Sequence, residues 1–326
     1  MYITPSILIN ILLFLWGLTS CSVPEKNATP SDAQKSEVSI VVSEQSNQSS
    51  NPVPDSIAPA PKTYSLDAPD AVVKLQKELK EISGLSVLDD KHLAAIQDEK
   101  GKIFSIRISD GKIKDEKRFA KDGDFEGVEV VGRHLFVLRS DGDIYKVSNW
   151  PTDSTDTKKH ETFLSTKHDT EGLGFDHVNN RLLIVCKEDP GTGQKKTRAV
   201  YAFDLETNDM DESPVLVINL QEIEEMAPDI SINKAIRKLT APLKNLGGFK
   251  PAALAVHPIT QQIFVISSVR KIMLAYNQDG TLEDLWVLSE DDFRQPEGLA
   301  FMPNGDLFIA NEGGNGRATL MRFNYK

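Results

Sequence analysis

Residues 295 to 312 read QPEGLAFMPNGDLFIANE: a Glu-Gly pair, an apolar run, an Asn-Gly turn and a second apolar run. Two short apolar segments of five or six residues joined by Asn-Gly are the pattern of an antiparallel hairpin. The pattern recurs. The segments EISGLSV, FEGVEVV, TEGLGFD, PAALAVH and PEGLAFM begin at residues 81, 125, 170, 251 and 296. Each is followed by a second run, in HLAAIQDE, HLFVLRSD, RLLIVCKE, QIFVISSV and DLFIANEG, and by a third, in KIFSIRI, DIYKVSN, AVYAFDL, KIMLAYN and TLMRFNY. Four copies add a fourth run, in DEKRFA, KKHETFL, SPVLVINL and EDLWVLS.

Four short antiparallel strands repeating about every 45 residues predict a β-propeller in which each copy is one blade. The last copy ends at Lys326 after its third strand, and KTYSL (62–66) is expected to supply the fourth, joining the two ends of the domain in one sheet. The third and fourth copies start 81 residues apart, at 170 and 251. The extra stretch, 221–248, has helical spacing in places, with Ile232, Ile236 and Leu239 on one face. Five blades with a partly helical insertion are expected, because no alternating strand pattern occurs there; six blades is the alternative that length allows.

The first twenty residues carry no charged side chain and contain ILINILLFLWGL, too short to span a bilayer comfortably but suited to a signal-peptide core. The run ends at Leu18-Thr19-Ser20-Cys21, which resembles a bacterial lipobox, although no Lys or Arg stands near the start. Lipidation of Cys21 is therefore expected, and with Ser22 rather than Asp beside it the resemblance implies an outer-membrane anchor facing the periplasm. Residues 21–62 are rich in Ser, Pro, Asn and Gln and bury too little apolar surface to order themselves. They are expected to form a tether reaching roughly 35 Å from the membrane. The propeller domain is expected over 63–326. Only Cys186 remains beside Cys21, so no intrachain disulfide is available, and its place at the end of RLLIVC marks it as a buried hydrophobe.

The chain has 326 residues, a net charge of −11 and no basic run, which excludes a nucleic-acid partner. A monomeric domain is expected. The six His residues show no zinc-type spacing, GGNGR (313–317) opens no helix and so is no phosphate loop, and no Gly-x-Ser-x-Gly elbow occurs.

The ordered set KELKEISGLSV, GDFEGVEVV, TEGLGFD with VCKEDP, and QPEGLAF with NEGGNG resembles the SdiA-regulated family of bacterial proteins. The resemblance covers residues 63–326 and implies a propeller related to NHL-repeat and phytase-like propellers, often exported or membrane-anchored, with no established reaction. KPAAL in the fourth copy departs from the pattern.

First strands of propeller blades line the central channel. The position before the Gly holds Ser83, Glu126, Glu171, Ala252 and Glu297, so three carboxylates are expected to meet at the channel mouth. Their repulsion calls for a compensating cation, and Ca²⁺ is the natural oxygen-preferring one. The competing reading makes each Glu an inter-blade clamp that accepts backbone N–H bonds, and recurrence in most blades favours it. A second set of polar residues, Asp98, Arg139, Lys187, Glu188, Asn311 and Glu312, falls at the ends of second strands, where contacts with a ligand or a protein surface are placed.

Anchor, tether and disc together predict a cell-envelope binding or scaffolding module for a protein or glycan partner. The alternative is a divalent-metal-dependent hydrolase of a phosphate ester or lactone. In it Glu126, Glu171 and Glu297 would hold the ion, and Lys187 or Arg139 would steady an anion.

Overall fold

A computed structural model of the protein describes residues 64–194, 196–224 and 248–326. The expected signal peptide, Cys21 and tether lie outside the described residues, as does most of the expected insertion, of which 221–224 continues a helical turn begun at 220.

The strands fall where the apolar runs predict them. Blade 1 comprises β2 (Ile82–Val87), β3 (His92–Gln97), β4 (Lys102–Arg107) and β5 (Ile113–Arg118), paired antiparallel in chain order. Blade 2 comprises β6 (Phe125–Val131), β7 (His134–Arg139), β8 (Ile144–Ser148) and β9 (Asp156–His160). Blade 3 comprises β10 (Thr170–Asp176), β11 (Arg181–Cys186) and β12 (Thr197–Asp204). Its outer edge is split between β13 (Asp209–Met210) and β14 (Leu216–Asn219), which pair with opposite ends of β12. Blade 4 comprises β15 (Pro251–Val256), β16 (Ile263–Ser267), β17 (Ile272–Tyr276) and β18 (Leu282–Val287). Blade 5 is formed by β19 (Pro296–Phe301), β20 (Leu307–Asn311) and β21 (Thr319–Phe323), completed by β1 (Ala71–Lys74). The molecule is an all-β, five-bladed propeller.

The closing strand is not KTYSL. β1 pairs with β21 from Ala71 opposite Arg322 to Lys74 opposite Thr319, while Tyr64 and Leu66 sit buried in the core between blades 4 and 5. The Tyr64 hydroxyl donates to Gly305 O at 2.5 Å. A buried Tyr and Leu in period 2 read like a strand, but their burial comes from packing among Phe264, Phe301 and Tyr325. The edge position of β1 instead goes to AVVK, whose Val72 is open to solvent.

Alternation along each second strand builds the cores. In β3, Leu93 and Ala95 face blade 5 while Ala94 and Ile96 face blade 2. In β11, Leu182, Ile184 and Cys186 face blade 2 while Leu183 and Val185 face blade 4. Odd and even positions thus serve two different interfaces, and five apolar cores result, one between each pair of neighbouring blades. Each fully buried Leu, Ile or Phe contributes about 1.5–3 kcal/mol. Cys186 is buried as expected, and burial pushes its thiol up to about 12, so it is held as an unreactive thiol.

Candidate functional site: the acidic mouth of the channel

Every first strand carries a β-bulge at the position before its Gly, or before Ala253 in blade 4. Register skips from Ile82 to Gly84, Phe125 to Gly127, Thr170 to Gly172, Pro251 to Ala253 and Pro296 to Gly298. The skipped residues are Ser83, Glu126, Glu171, Ala252 and Glu297. A bulge leaves one residue out of the ladder and re-aims its side chain, which turns this column towards the axis. The Gly after it has a separate task. A Cβ on Gly172 would lie 2.4 Å from Leu254 N, and one on Gly127 would lie 2.6 Å from Leu173 Cβ. Each glycine therefore lets the next blade's first strand approach closely.

Ser83, Glu126, Glu171 and Glu297 line one cavity of about 160 Å³ at the mouth of the channel. Asp98, Lys187 and Glu312 from the second-strand ends reach the same cavity, so two predicted columns merge into one site. Glu81 and Gln295 also line it and belong to no predicted column. The signal for them was present two residues before the bulged column, where Glu81, Asp124, Asp169, Lys250 and Gln295 stand. Arg139, Glu188 and Asn311 are placed elsewhere. Arg139 is tied into its own hairpin turn by Asp141 and by Asp143 at 2.6 Å. Glu188 pairs with Lys250. Asn311 is buried, its Nδ2 donating to Asp292 O at 3.1 Å.

Blade-to-blade clamps to the main chain exist, but the groups that make them are not the column glutamates, of which Glu297 reaches blade 4 through the Ser268 side chain. The Ser83 hydroxyl donates to Phe125 O at 2.7 Å, the Thr170 hydroxyl to Arg139 O at 2.8 Å, and Phe125 N to Asp98 O at 2.8 Å. The glutamates bond to side chains instead: Glu171 to Lys187, Glu297 to Gln295 and Ser268, and Glu126 to Asp124.

The electrostatics follow from one ammonium set among six carboxylates, those of Glu81, Asp98, Glu126, Glu171, Glu297 and Glu312. Burial pushes Glu126 up to about 10, with Glu171 and Asp124 adding to the shift. Burial raises Glu171 to about 8 and Glu297 to about 7, in both cases against the pull of Lys187. Burial opposes the charge on Lys187, yet Glu171 and Asp169 outweigh it and hold the ammonium protonated. Asp98 and Glu312 are also raised, chiefly by burial. The mouth therefore holds its protons tightly and would give them up to an arriving cation.

The glutamate column was expected to call for a compensating cation, and the Lys187 ammonium occupies that role. Among the described residues no group of three or more His, Cys, Asp or Glu side chains is arranged to hold a metal ion. Ca²⁺ needs six to eight oxygen ligands, and a lysine bonded to Glu171 within the column does not fit that shell.

Below the mouth the channel closes. Leu85, Val128, Leu173, Leu254 and Leu299, the residues after the glycine column, leave a gap of about 10 Å³, no more than marginal for one water. The molecule is thus a closed-ring propeller with a blocked axis and an acidic axial cup. It belongs to the SdiA-regulated family, whose model matches residues 63–315. No curated protein matches the chain. Among solved structures, glutaminyl cyclase from Myxococcus xanthus is similar over 79% of this chain and 96% of that one, at 12% identity and TM-score 0.51. Streptogramin B lyase is similar over 78% and 97%, at 12% identity and TM-score 0.43. The PQQ-bound aldose sugar dehydrogenase from Streptomyces coelicolor is similar over 79% and 100%, at 12% identity and TM-score 0.44. At these identities the likeness is one of fold alone.

Proposed function

We propose that the protein is a binding module of the cell envelope, lipid-anchored through Cys21 and carried on the tether of residues 21–62, whose channel mouth receives a cationic group of a protein or glycan partner. The observation that carries this reading is the surplus of carboxylates around Lys187, with Glu171 buried and Glu126 and Glu297 half-buried beside it. A cation entering the mouth lets Glu297 and Glu171 ionise and is stabilised in return, whereas an anion would meet only one ammonium. Scaffolding follows from the rigid disc, which holds the cup in fixed geometry.

The reading is tested by cross-linking in intact membranes. A single dominant partner is expected to link to the mouth by carbodiimide coupling of its amine to Glu81, Asp98 or Glu312. Those links should be lost when Glu126, Glu171 and Glu297 are all changed to Gln, with the protein still folded. Links unchanged in that variant, or no captured partner or glycan at all, would defeat the proposal. The metal-dependent hydrolase is the second reading, and the Lys187 ammonium bonded to Glu171 weighs against it. Calorimetric titration of the purified protein with Ca²⁺, Mg²⁺ and Mn²⁺ is expected to show no binding tighter than about 1 mM, the weak end of extracellular calcium sites.

A further inference from the structure

At the other end of the blocked channel lies a second, larger cavity of about 480 Å³, within the range of small-molecule pockets. Its origin lies in the next residues of the first strands. Two positions beyond the glycine column stand Ser86, Glu129, Gly174, Ala255 and Ala300. Side chains at that spacing share a face, and four of the five are small, so the ring leaves a hollow. The fifth is a carboxylate. The apolar walls come from Phe175, Phe301, Val256, Pro258 and Met302.

Glu129 sits deep in this hollow. Its Oε1 accepts the Ser86 hydroxyl at 2.6 Å and Val130 N at 3.1 Å, and the carboxylate accepts a further bond from the backbone of Phe175. Those three donors orient the group and leave acceptor capacity free. The other ionisable side chains lining the cavity are Asp89, Asp90 and His177, at the rim, and no Lys or Arg is among the lining residues. The carboxylate therefore lacks a countercharge in an apolar surround, and burial raises it to about 7.

We propose that this cavity binds a small organic amine, its ammonium bonded to Glu129 and its apolar body lying against Phe175, Phe301 and Met302. Charge complementarity selects the ligand: an ammonium supplies the missing countercharge, and an anion would face three carboxylates. The two aromatic rings suit a cation with an apolar body further. The proposal does not depend on the acidic mouth, which lies beyond the leucine plug.

Calorimetric titration of the full chain with phenethylamine, and with 3-phenylpropanol and 3-phenylpropanoate as neutral and anionic counterparts, tests it. The amine is expected to bind about tenfold more tightly than the alcohol, the worth of one charge-assisted hydrogen bond, and the anion not at all. Glu129→Gln should erase the amine's advantage over the alcohol. Met302→Trp, at a half-buried wall position, should weaken both and serves if Glu129→Gln fails to fold. Glu126→Gln with Glu297→Gln removes the other cup's own attraction for a cation and should leave in place the part of the amine's advantage that Glu129→Gln abolishes. Equal binding of amine and alcohol, an advantage undiminished by Glu129→Gln, undiminished binding in Met302→Trp, no amine binding by the wild type, or loss of that part of the advantage on changing the mouth glutamates would each overturn the proposal.

Discussion

Glu126 shows how position decides what a carboxyl group does. Its neighbours in the mouth are Glu171 and Asp124, while the nearest ammonium, on Lys187, is bonded to Glu171. Its folded-state value, about 10, lies far above the ordinary 4.5. The native state therefore holds a proton that the unfolded chain has already lost, and the stability linked to that proton is complete below about pH 4.5 and fades as pH rises towards 10. Glu126→Gln removes the titration and keeps the shape. Urea unfolding at pH 5, 7 and 9 should find the variant gaining on the wild type as pH rises, by about 1–3 kcal/mol at the top of the range. Parallel stability curves would show that Glu126 is ionised without penalty. The three repeated glutamates were legible as a converging set from their spacing alone. Lys187 was legible as a strand-end residue that could steady an anion beside the glutamates, but nothing in RLLIVCKE says that its side chain turns back to bond Glu171 itself.

The bulge and the glycine are the units at the scale of a strand. Five bulges at one position give five skipped residues a common direction, and the glycines after them allow the blades to close up. Blade 4 has Ala253 in the glycine place and tolerates it buried. The substitution is not interchangeable elsewhere: Gly172→Ala would put a methyl group 2.4 Å from Leu254 N and 2.8 Å from Ala253 C, both main-chain atoms. Thermal or urea unfolding should show a loss of about 1–3 kcal/mol or more for Gly172→Ala, as for other overpacked sites. Ala253→Gly should cost no more than about 1 kcal/mol. Equal, small effects would mean that blades 3 and 4 can slide apart freely. A bulge leaves no mark in a pattern of apolar residues, so the sequence showed the Glu-Gly pair without showing why the pair recurs.

Across the whole molecule, closure and division of the axis matter most. The ring is sealed by four residues, Ala71–Lys74, laid along β21, and without them β21 would become an open edge. A chain beginning at residue 76 is expected to aggregate or melt at lower temperature than one beginning at residue 63, as followed by size-exclusion chromatography and thermal unfolding. Val73→Pro, which removes the N–H facing Leu320 across the β1–β21 ladder, should act in the same direction. If all three chains melt together, closure by β1 is dispensable. The leucine plug divides the axis into an acidic cup of about 160 Å³ and a wider apolar one of about 480 Å³. This division separates the two binding proposals, because a ligand in one cup does not touch the residues of the other.

Strand order within each blade and the existence of an axial carboxylate set were determined by the sequence itself, because period-2 burial and a 45-residue repeat are local patterns that any folded solution must satisfy, whereas the choice of five blades over six needed the folded ring. Only the tertiary structure decided which segment closes the ring, since Tyr64-Ser65-Leu66 reads as the closing strand, but packing against Phe301 and Tyr325 takes it out of the sheet and leaves the edge to Ala71–Lys74. It also decided that a lysine supplies the mouth's countercharge. Lys187 meets Glu171 within the β10–β11 hairpin, but the burial and the neighbouring Glu126 and Glu297 that make this pair the centre of the mouth exist only once blades 2, 3 and 5 have met around the axis.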